Sequence, residues 1–169
     1  GVENDAILSK MGDITVAFKV ELPELFTMSN DDYEAFHHSW IKAIKILPVN
    51  AVLYKQDWFT EEKYKADFLK EDNSFLSRSS ERFFNERPYL NHKCFIMLTK
   101  KPANRKASSS VFSSLLKRTI VPEETLQLKH YQDFINNVGQ CEKIVSDSGF
   151  ISFTRLNNSA LIDLIVKYM

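Results

Sequence analysis

Glycine is scarce in this sequence, and its scarcity removes the common nucleotide-binding motifs. Only four of the 169 residues are glycine, at positions 1, 12, 139 and 149. A phosphate-binding loop needs spaced glycines followed by Lys and Ser or Thr, because its backbone amides must wrap the phosphates. None of the four begins such a loop or a dinucleotide-binding fingerprint. The chain is therefore predicted to bind no ATP, to need no cofactor and to be no enzyme.

An excess of charge of one sign is also missing. The chain has 22 Lys plus Arg and 22 Asp plus Glu, so its net charge is zero. A dedicated nucleic-acid binder is expected to carry a clear basic excess. A local cluster of Lys100, Lys101, Arg105 and Lys106 could still make weak contacts with the phosphates of DNA or lipid head groups. The alternative interpretation of this cluster is an exposed, solvated loop spanning Lys100–Ser110.

Cysteine and long apolar runs are few. Cys94 and Cys141 both sit in apolar patterns without metal-ligand spacing, which is typical of reduced core thiols in a cytoplasmic protein. No run approaches the roughly 18 apolar residues of a membrane span, and no signal peptide is visible. The alternating pair His92 and Cys94 could share a strand face, but no second ligand pair lies nearby, so no metal site is predicted.

Apolar periodicity predicts alternating strands and helices. A hairpin of Ala6–Lys10 and Asp13–Leu22 is followed by a helix capped by Ser29 or Asn30 and ended by Pro48. The apolar stripe of that helix includes Phe36, His37 and Trp40, which are predicted to be core residues. The remaining predicted elements are a strand at Ala51–Phe59, a loop or short helix at Thr60–Lys70, a helix at Ser74–Glu86, a central strand at Cys94–Thr99, a short helix at Val111–Thr119, a long helix at Leu128–Val145, a strand at Phe150–Arg155 and a last helix from Asn158.

This order predicts a single α+β domain over residues 1–169. The expected architecture is a two-layer sandwich, with a mixed or antiparallel sheet of about four or five strands covered by helices. The embedded β-α-β and β-α-β units also suit a ferredoxin-like topology with an insertion between the middle strands.

The last helix is apolar on more than one face. Leu161, Leu164, Ile165, Val166 and Tyr168 cover a wider arc than a normal surface stripe. We therefore expect these residues to form a docking surface for a neighbouring domain or for a second copy of the chain. Gly1 in place of Met and the absence of a cap after this helix favour a piece cut from a longer protein.

Five stretches of the chain resemble one protein family, in the same order and over nearly the whole length. They are Asp13–Thr27, His38–Pro48, Lys55–Phe59, Phe84–His92 and Asn137–Phe150. Together they resemble the amino-terminal region of the TraG-type ATPases of Bacteroides conjugative transposons. In that family the full protein is the cytoplasmic motor of a type IV secretion system, and its nucleotide-binding domain lies downstream of the matched region. No catalytic residue of the family can be carried over.

The resemblance implies a non-catalytic domain at the cytoplasmic side of the inner membrane. Its partners would be other domains of the parent ATPase, neighbouring motor subunits or proteins of the inner-membrane channel. The alternative hypothesis is an accessory domain that contacts nucleic acid and guides the transferred DNA, which the neutral charge disfavours.

Overall fold

The computed structural model of the protein describes residues 1–67, 74–103, 125 and 127–168, without the side chains of Leu25 and Tyr168. Within these residues the strands and helices follow one another in the order given next. They are β1 (Val2–Glu3), β2 (Ala6–Leu8), β3 (Ile14–Glu21), α1 (Asn30–Ile46), β4 (Ala51–Lys63), α2 (Phe75–Phe84), β5 (Pro88–Lys100), α3 (Leu128–Asp147), β6 (Ser152–Arg155) and α4 (Asn158–Tyr168).

The six strands of the described residues form one antiparallel sheet, in which five strands follow the order β1-β2-β3-β5-β4 and β6 pairs with β3. Strand β3 lies at the centre and pairs with β5 from Ile14↔Lys100 to Val20↔Cys94. The other edge of β3 is shared: β2 pairs with its beginning and β6 with its end. The series β3-α1-β4-β5-α3-β6, with strand order β6-β3-β5-β4, is the ferredoxin-like arrangement, so the predicted α+β class is confirmed.

The core lies between one face of this sheet and helices α1 and α3. Alternate residues of a strand point to the same face, and those of β3 and β5 are buried here together with residues three or four apart on α3. The buried members are Val16, Phe18 and Val20 on β3, Cys94, Ile96 and Leu98 on β5, Ala43 on α1, and Phe134, Val138, Cys141 and Val145 on α3. Ala17 and Phe95 are buried on the opposite face, which confirms β5 as a central strand covered on both sides.

The turn between β2 and β3 follows from local chemistry. Gly12 has φ 85°, a conformation in which glycine avoids the clash of a Cβ. The Ser9 hydroxyl accepts hydrogen bonds from the backbone amides of Met11 and Asp13 at 3.2 and 3.0 Å. The hairpin predicted around Met11–Asp13 is therefore confirmed.

Helix α1 begins at a capping box and buries a narrower face than the sequence predicts. The Ser29 hydroxyl accepts a hydrogen bond from the Asp32 amide, and the Asp32 carboxylate accepts one from the Ser29 amide. Only Ala43 is fully buried, while Phe36 and Trp40 are half-buried. The prediction that His37 is a core residue is wrong: its side chain is exposed, because the buried face is centred on Ala43, at the other margin of the apolar stripe.

The capping box gives a direct test of helix α1. We expect Ser29→Ala to lower the free energy of unfolding by about 1 kcal/mol, the usual contribution of an N-cap side chain. Hydrogen bonds from Ser29 lower the pKa of Asp32, so the contribution of this carboxylate is present above pH ~4 and is lost as the pH falls through the lowered pKa. Urea unfolding at neutral pH measures the loss. Ser39→Ala is the matched control, because Ser39 bonds only the Ala35 carbonyl inside the helix; an equal loss in both variants would contradict the cap.

Strand β4 is longer than predicted. Residues 60–63, predicted as part of a loop or short helix, continue the strand, because β5 begins at Pro88 and offers a partner. The pairing closes where the Tyr64 amide donates to the Arg87 carbonyl at 3.1 Å and the Glu86 amide donates to the Tyr64 carbonyl at 2.9 Å. The short helix predicted at Val111–Thr119 and the loop beyond residue 103 lie outside the described residues.

The chain forms two compact units. The core unit contains Gly1–Gln56 and Cys94–Met169, and the hairpin unit contains Asp57–Lys93. The hairpin unit comprises the outer parts of β4 and β5 and helix α2, and corresponds to the insertion predicted between the middle strands. The assignment of residues 1–169 to a single domain stays a prediction.

Candidate interaction surface

The basic cluster predicted from the sequence is only partly described by the structure. The Lys100 ammonium group donates to the backbone carbonyl of His130 at 3.3 Å and is half-buried, so it holds the first turn of α3. Lys101 is exposed. Arg105 and Lys106 lie outside the described residues. Among the four residues predicted to contact anions, Lys101 is therefore the described side chain that is exposed to solvent.

The docking surface predicted on α4 needs correction. Leu161 is 0% exposed and Leu164 is buried as well, so both residues belong to the interior of the core unit. Ile165 is half-buried, Val166 is 69% exposed, and the side chain of Tyr168 lies outside the described residues. Helix α4 contacts β1 and β2. The apolar residues of α4 cover a wide arc because Leu161 and Leu164 are buried on one side of the helix while Ile162 and Val166 are exposed beside them.

Hydrogen bonds fix the start of α4. The Asn158 amide donates to the Asp5 carboxylate, and the Asp5 amide donates to the Asn158 side-chain oxygen, both at 2.9 Å. The side chain of Asn157 accepts from the Ala160 amide at 2.9 Å. These contacts tie the helix to the N-terminal hairpin and satisfy the backbone donors that a helix leaves unpaired at its first turn.

The hairpin unit exposes an unusual amount of apolar surface. None of its described residues is buried, and its large apolar side chains lie mostly in solvent. The exposed set consists of Phe59, Tyr64, Phe75, Leu76, Phe83, Phe84, Tyr89 and Leu90. Two strands and one helix without a core are marginally stable in water, and exposed apolar residues at this density mark interaction sites.

Helix α2 owes this exposure to its orientation. Its polar side faces the hairpin: the Glu81 carboxylate accepts hydrogen bonds from the Tyr64 hydroxyl at 3.0 Å and the Asp67 amide at 3.1 Å. The Asn85 side chain accepts one from the Ala66 amide at 3.3 Å. The bond to Glu81 raises the pKa of Tyr64, because it stabilises the neutral phenol. With Glu81 and Asn85 turned inward, the apolar side of the helix points to solvent.

Cross-strand polar pairs stiffen the hairpin below α2. Glu62 accepts hydrogen bonds from the Lys93 ammonium and the Tyr89 hydroxyl, each at 3.3 Å. A hydrogen bond from the Asn91 side chain, and then that from Lys93, lowers the pKa of Glu62 and keeps it ionised at neutral pH. Such pairs stabilise a two-stranded ribbon by small amounts each.

A histidine on β5, His92, also contacts two residues of β4. His92 Nε2 lies 2.8 Å from an Asp57 carboxylate oxygen, and the Phe59 ring stacks on the imidazole with centroids 4.7 Å apart. Cys94, two residues on, is buried, so it does not share an accessible site with His92. Among the described residues no group of three His, Cys, Asp or Glu side chains is placed to hold a metal ion.

Burial raises the pKa of the other thiol, Cys141, to about 11, so this thiol stays protonated at neutral pH.

Each unit has a concave site with a largely apolar lining. In the core unit a groove of about 300 Å³ runs along β1 and β2 to Leu128 and Tyr131. In the hairpin unit a pocket of about 290 Å³ is lined by Tyr64, Phe84, Arg87, Pro88 and Tyr89. Neither lining brings together a nucleophile, a base and an orienting group.

Comparison with known proteins matches the beginning of the chain. Residues 1–38 match the model of a family described as "Domain of unknown function, B. Theta Gene description (DUF3875)". The match spans β1–β3 and the first half of α1, and it is consistent with the Bacteroides origin that the sequence resemblance implies. No curated protein matches the chain. In the described part of the chain no helix has the length and apolarity needed to cross a membrane.

Proposed function

We propose that this chain is the non-catalytic N-terminal domain of a TraG-type conjugative DNA-transfer ATPase. In this proposal it docks the type IV secretion motor onto proteins of the inner-membrane channel or onto neighbouring motor subunits. Two observations from the sequence support it: the five stretches that resemble the family, and the match of residues 1–38 to a family whose description refers to B. Theta.

The observation that carries the docking role is the hairpin unit. It holds eight large apolar side chains in solvent and has no buried residue among those described, so it gains stability when a partner covers it. Aromatic residues are enriched in protein interfaces, and six of the eight are Phe or Tyr. An enzyme would instead concentrate its features in a pocket with convergent reactive groups.

Co-purification with individual channel proteins tests the docking role. Each inner-membrane channel protein encoded beside the parent ATPase gene is produced in detergent with this chain, and binding is measured by titration. We expect one of them to bind, and Phe59→Ser with Leu90→Ser to weaken that binding by at least tenfold, since each truncation of a hot-spot side chain costs about 1–2 kcal/mol.

Phe26→Ser is the control for this experiment. Phe26 is the most exposed phenylalanine among the described residues of the core unit, so the substitution removes the same kind of side chain outside the hairpin unit. Unchanged binding in this control attributes the loss to the hairpin unit. The docking proposal fails if none of the channel proteins and no second copy of the motor binds, or if the hairpin variants bind as well as the native chain.

A further inference from the structure

The pocket of the hairpin unit combines an aromatic lining with one charged residue. Its apolar walls are formed by Tyr64, Phe84, Pro88 and Tyr89, and its volume is about 290 Å³. Arg87 is the one charged residue among the described residues that line it. A pocket of this size accepts a small molecule or a single side chain, and the few polar groups of such a pocket orient the ligand.

The backbone turn that places Arg87 in this lining is strained. Glu86, directly before it, has φ 61°, a left-handed conformation that residues other than glycine rarely adopt. Two hydrogen bonds hold the turn: the Glu86 amide donates to the Tyr64 carbonyl at 2.9 Å, and the Arg87 amide donates to the Phe84 carbonyl at 3.0 Å. Backbone strain of this kind persists at sites where it positions a functional side chain, and the side chain that follows this turn is that of Arg87.

The guanidinium of Arg87 is oriented without being neutralised. Its central carbon lies 3.6 Å from the centroid of the Phe83 ring, a separation typical of face-to-face stacking. The Phe83 ring is in turn held edge-on by Phe84, with centroids 5.0 Å apart. Stacking uses the flat face of a guanidinium and leaves its in-plane N–H donors open. Among the described residues no carboxylate lies within ion-pair distance of Arg87, so these donors are available to a ligand.

Two acidic residues restrict the charge of that ligand. Glu81 accepts a hydrogen bond from the Tyr64 hydroxyl at 3.0 Å, and Glu62 accepts one from the Tyr89 hydroxyl at 3.3 Å. Both carboxylates stand behind the phenols and not among the described lining residues. Their negative charge disfavours a dianion such as a phosphate ester, while the guanidinium in the lining disfavours a cation. A carboxylate carries the single negative charge that one guanidinium balances, and its two oxygens match the guanidinium fork.

We propose that this pocket binds an aromatic carboxylate. The ring of the ligand packs against Tyr64, Phe84 and Tyr89, because aromatic rings gain more from one another than from burial alone. Its carboxylate accepts two parallel hydrogen bonds from Arg87. The ligand is a free aromatic acid or the C-terminal aromatic residue of a protein chain, since both present the same ring and carboxylate. The inference goes beyond the docking role proposed above, because the chain binds this ligand without a channel protein.

Titration of the purified chain with N-acetylphenylalanine, followed by the NMR shifts of backbone amides, tests the inference. A ligand of this size is expected to bind with a Kd on the order of 1 mM. N-acetylphenylalanine amide keeps the ring and lacks the charge, and N-acetylalanine keeps the charge and lacks the ring. Each should bind at least about tenfold more weakly, because each loses one of the two contacts.

A six-residue peptide that ends in phenylalanine distinguishes the two sources of the ligand. If the peptide binds at least about tenfold more tightly than N-acetylphenylalanine, the ligand is the C-terminus of a protein, since contacts outside the pocket then contribute. Equal binding of the two identifies a free aromatic acid.

Variants of two arginines locate the carboxylate. Arg87→Gln should weaken the binding of N-acetylphenylalanine at least about tenfold and leave that of the amide unchanged, because the lost interaction needs both the guanidinium and the carboxylate. Phe84→Ala should weaken the binding of both ligands. Arg82→Gln is the matched control: it removes an exposed arginine of α2 outside the described lining and should bind as the native chain does. Amide spectra of the unliganded variants check that the fold is retained.

Several results would overturn the inference. One is equal binding of N-acetylphenylalanine and its amide, and another is an equal loss in Arg82→Gln and Arg87→Gln. Tighter binding of phenyl phosphate than of N-acetylphenylalanine would assign the pocket to a different anion. The absence of shifts at a ligand concentration about 20-fold above the expected Kd would show that the pocket binds no aromatic carboxylate.

Discussion

Replacing Phe134 with alanine should lower the free energy of unfolding by about 3–5 kcal/mol, the usual cost of truncating a large aromatic side chain in a core. Phe134 is 1% exposed and belongs to the cluster that joins α3 to the sheet. In a chain of this size about 1 kcal/mol corresponds to about 2–4 °C, so the melting temperature should fall by roughly 6–20 °C. Differential scanning calorimetry and urea unfolding measure the two quantities independently.

Phe26→Ala is the matched control for this prediction. Phe26 lies in the short 3₁₀ turn Leu25–Thr27 and is 86% exposed, so the same change of side chain should alter stability by less than about 0.5 kcal/mol. If Phe134→Ala and Phe26→Ala cost similar amounts, the core does not lie where the structure places it.

Two aromatic residues of α1, Phe36 and Trp40, are less buried than Phe134. The sequence pattern predicts that Phe36 and Trp40 are core residues whose truncation to alanine costs about 3–5 kcal/mol. In the structure both are half-buried and meet Phe150 and Phe153 edge-on, with ring centroids 6.2 and 6.0 Å apart. Their truncation should therefore cost less than that of Phe134, since part of each ring stays in water in the folded state.

Much of the core unit could be predicted from the sequence because its elements bury one face. The alternation of Val16, Phe18 and Val20 specifies a half-buried strand, and the three- and four-residue spacing on α3 specifies its buried stripe. These patterns arise because one face of each strand or helix contacts the core, so apolar residues recur with the period of that strand or helix. The ferredoxin-like order then follows from the sequence of elements and the antiparallel pairing of β3 with β5 and β6.

The hairpin unit could not be predicted in the same way. Its strands have no core to cover, so β4 beyond Phe59 carries Thr, Glu and Lys and shows no apolar period. The sequence does predict a helix at Ser74–Glu86, close to α2, and in the structure Ser74 is the N-cap of α2. Its orientation is set by hydrogen bonds from Tyr64, Ala66 and Asp67, which are distant in sequence and invisible to a periodicity argument.

The candidate surface was missed for a related reason. A phenylalanine on an amphipathic helix normally predicts a buried face, and a sequence argument assigns Phe75 and Phe83 to an interior. The signal that could have found the surface is the aromatic content of the hairpin unit: six of its eight exposed apolar residues are Phe or Tyr, and β4 beyond Phe59 shows no apolar period that could bury them.

Helix α4 provides the second large expected effect, because Leu161 is buried and not part of an exposed docking face. Leu161→Glu should destabilise the chain by at least about 4 kcal/mol, because it loses apolar burial and places an unpaired carboxylate in the interior. Val166→Glu places the same residue on the same helix in solvent and should change stability by less than about 0.5 kcal/mol. Urea unfolding of both variants at neutral pH measures the difference.

Leu161→Ala keeps this test informative if the glutamate variant does not fold. It removes buried methyl groups without adding charge and should still cost about 2–5 kcal/mol. Sedimentation of Val166→Glu against the native chain measures association separately from stability. Among the described side chains of α4, only Ile162 and Val166 are large, apolar and exposed. Two such residues are too few to hold a dimer together, so both chains should sediment alike. Tolerance of Leu161→Glu, together with loss of a native dimer in that variant, would return Leu161 to a docking surface and show that α4 is covered by a second copy.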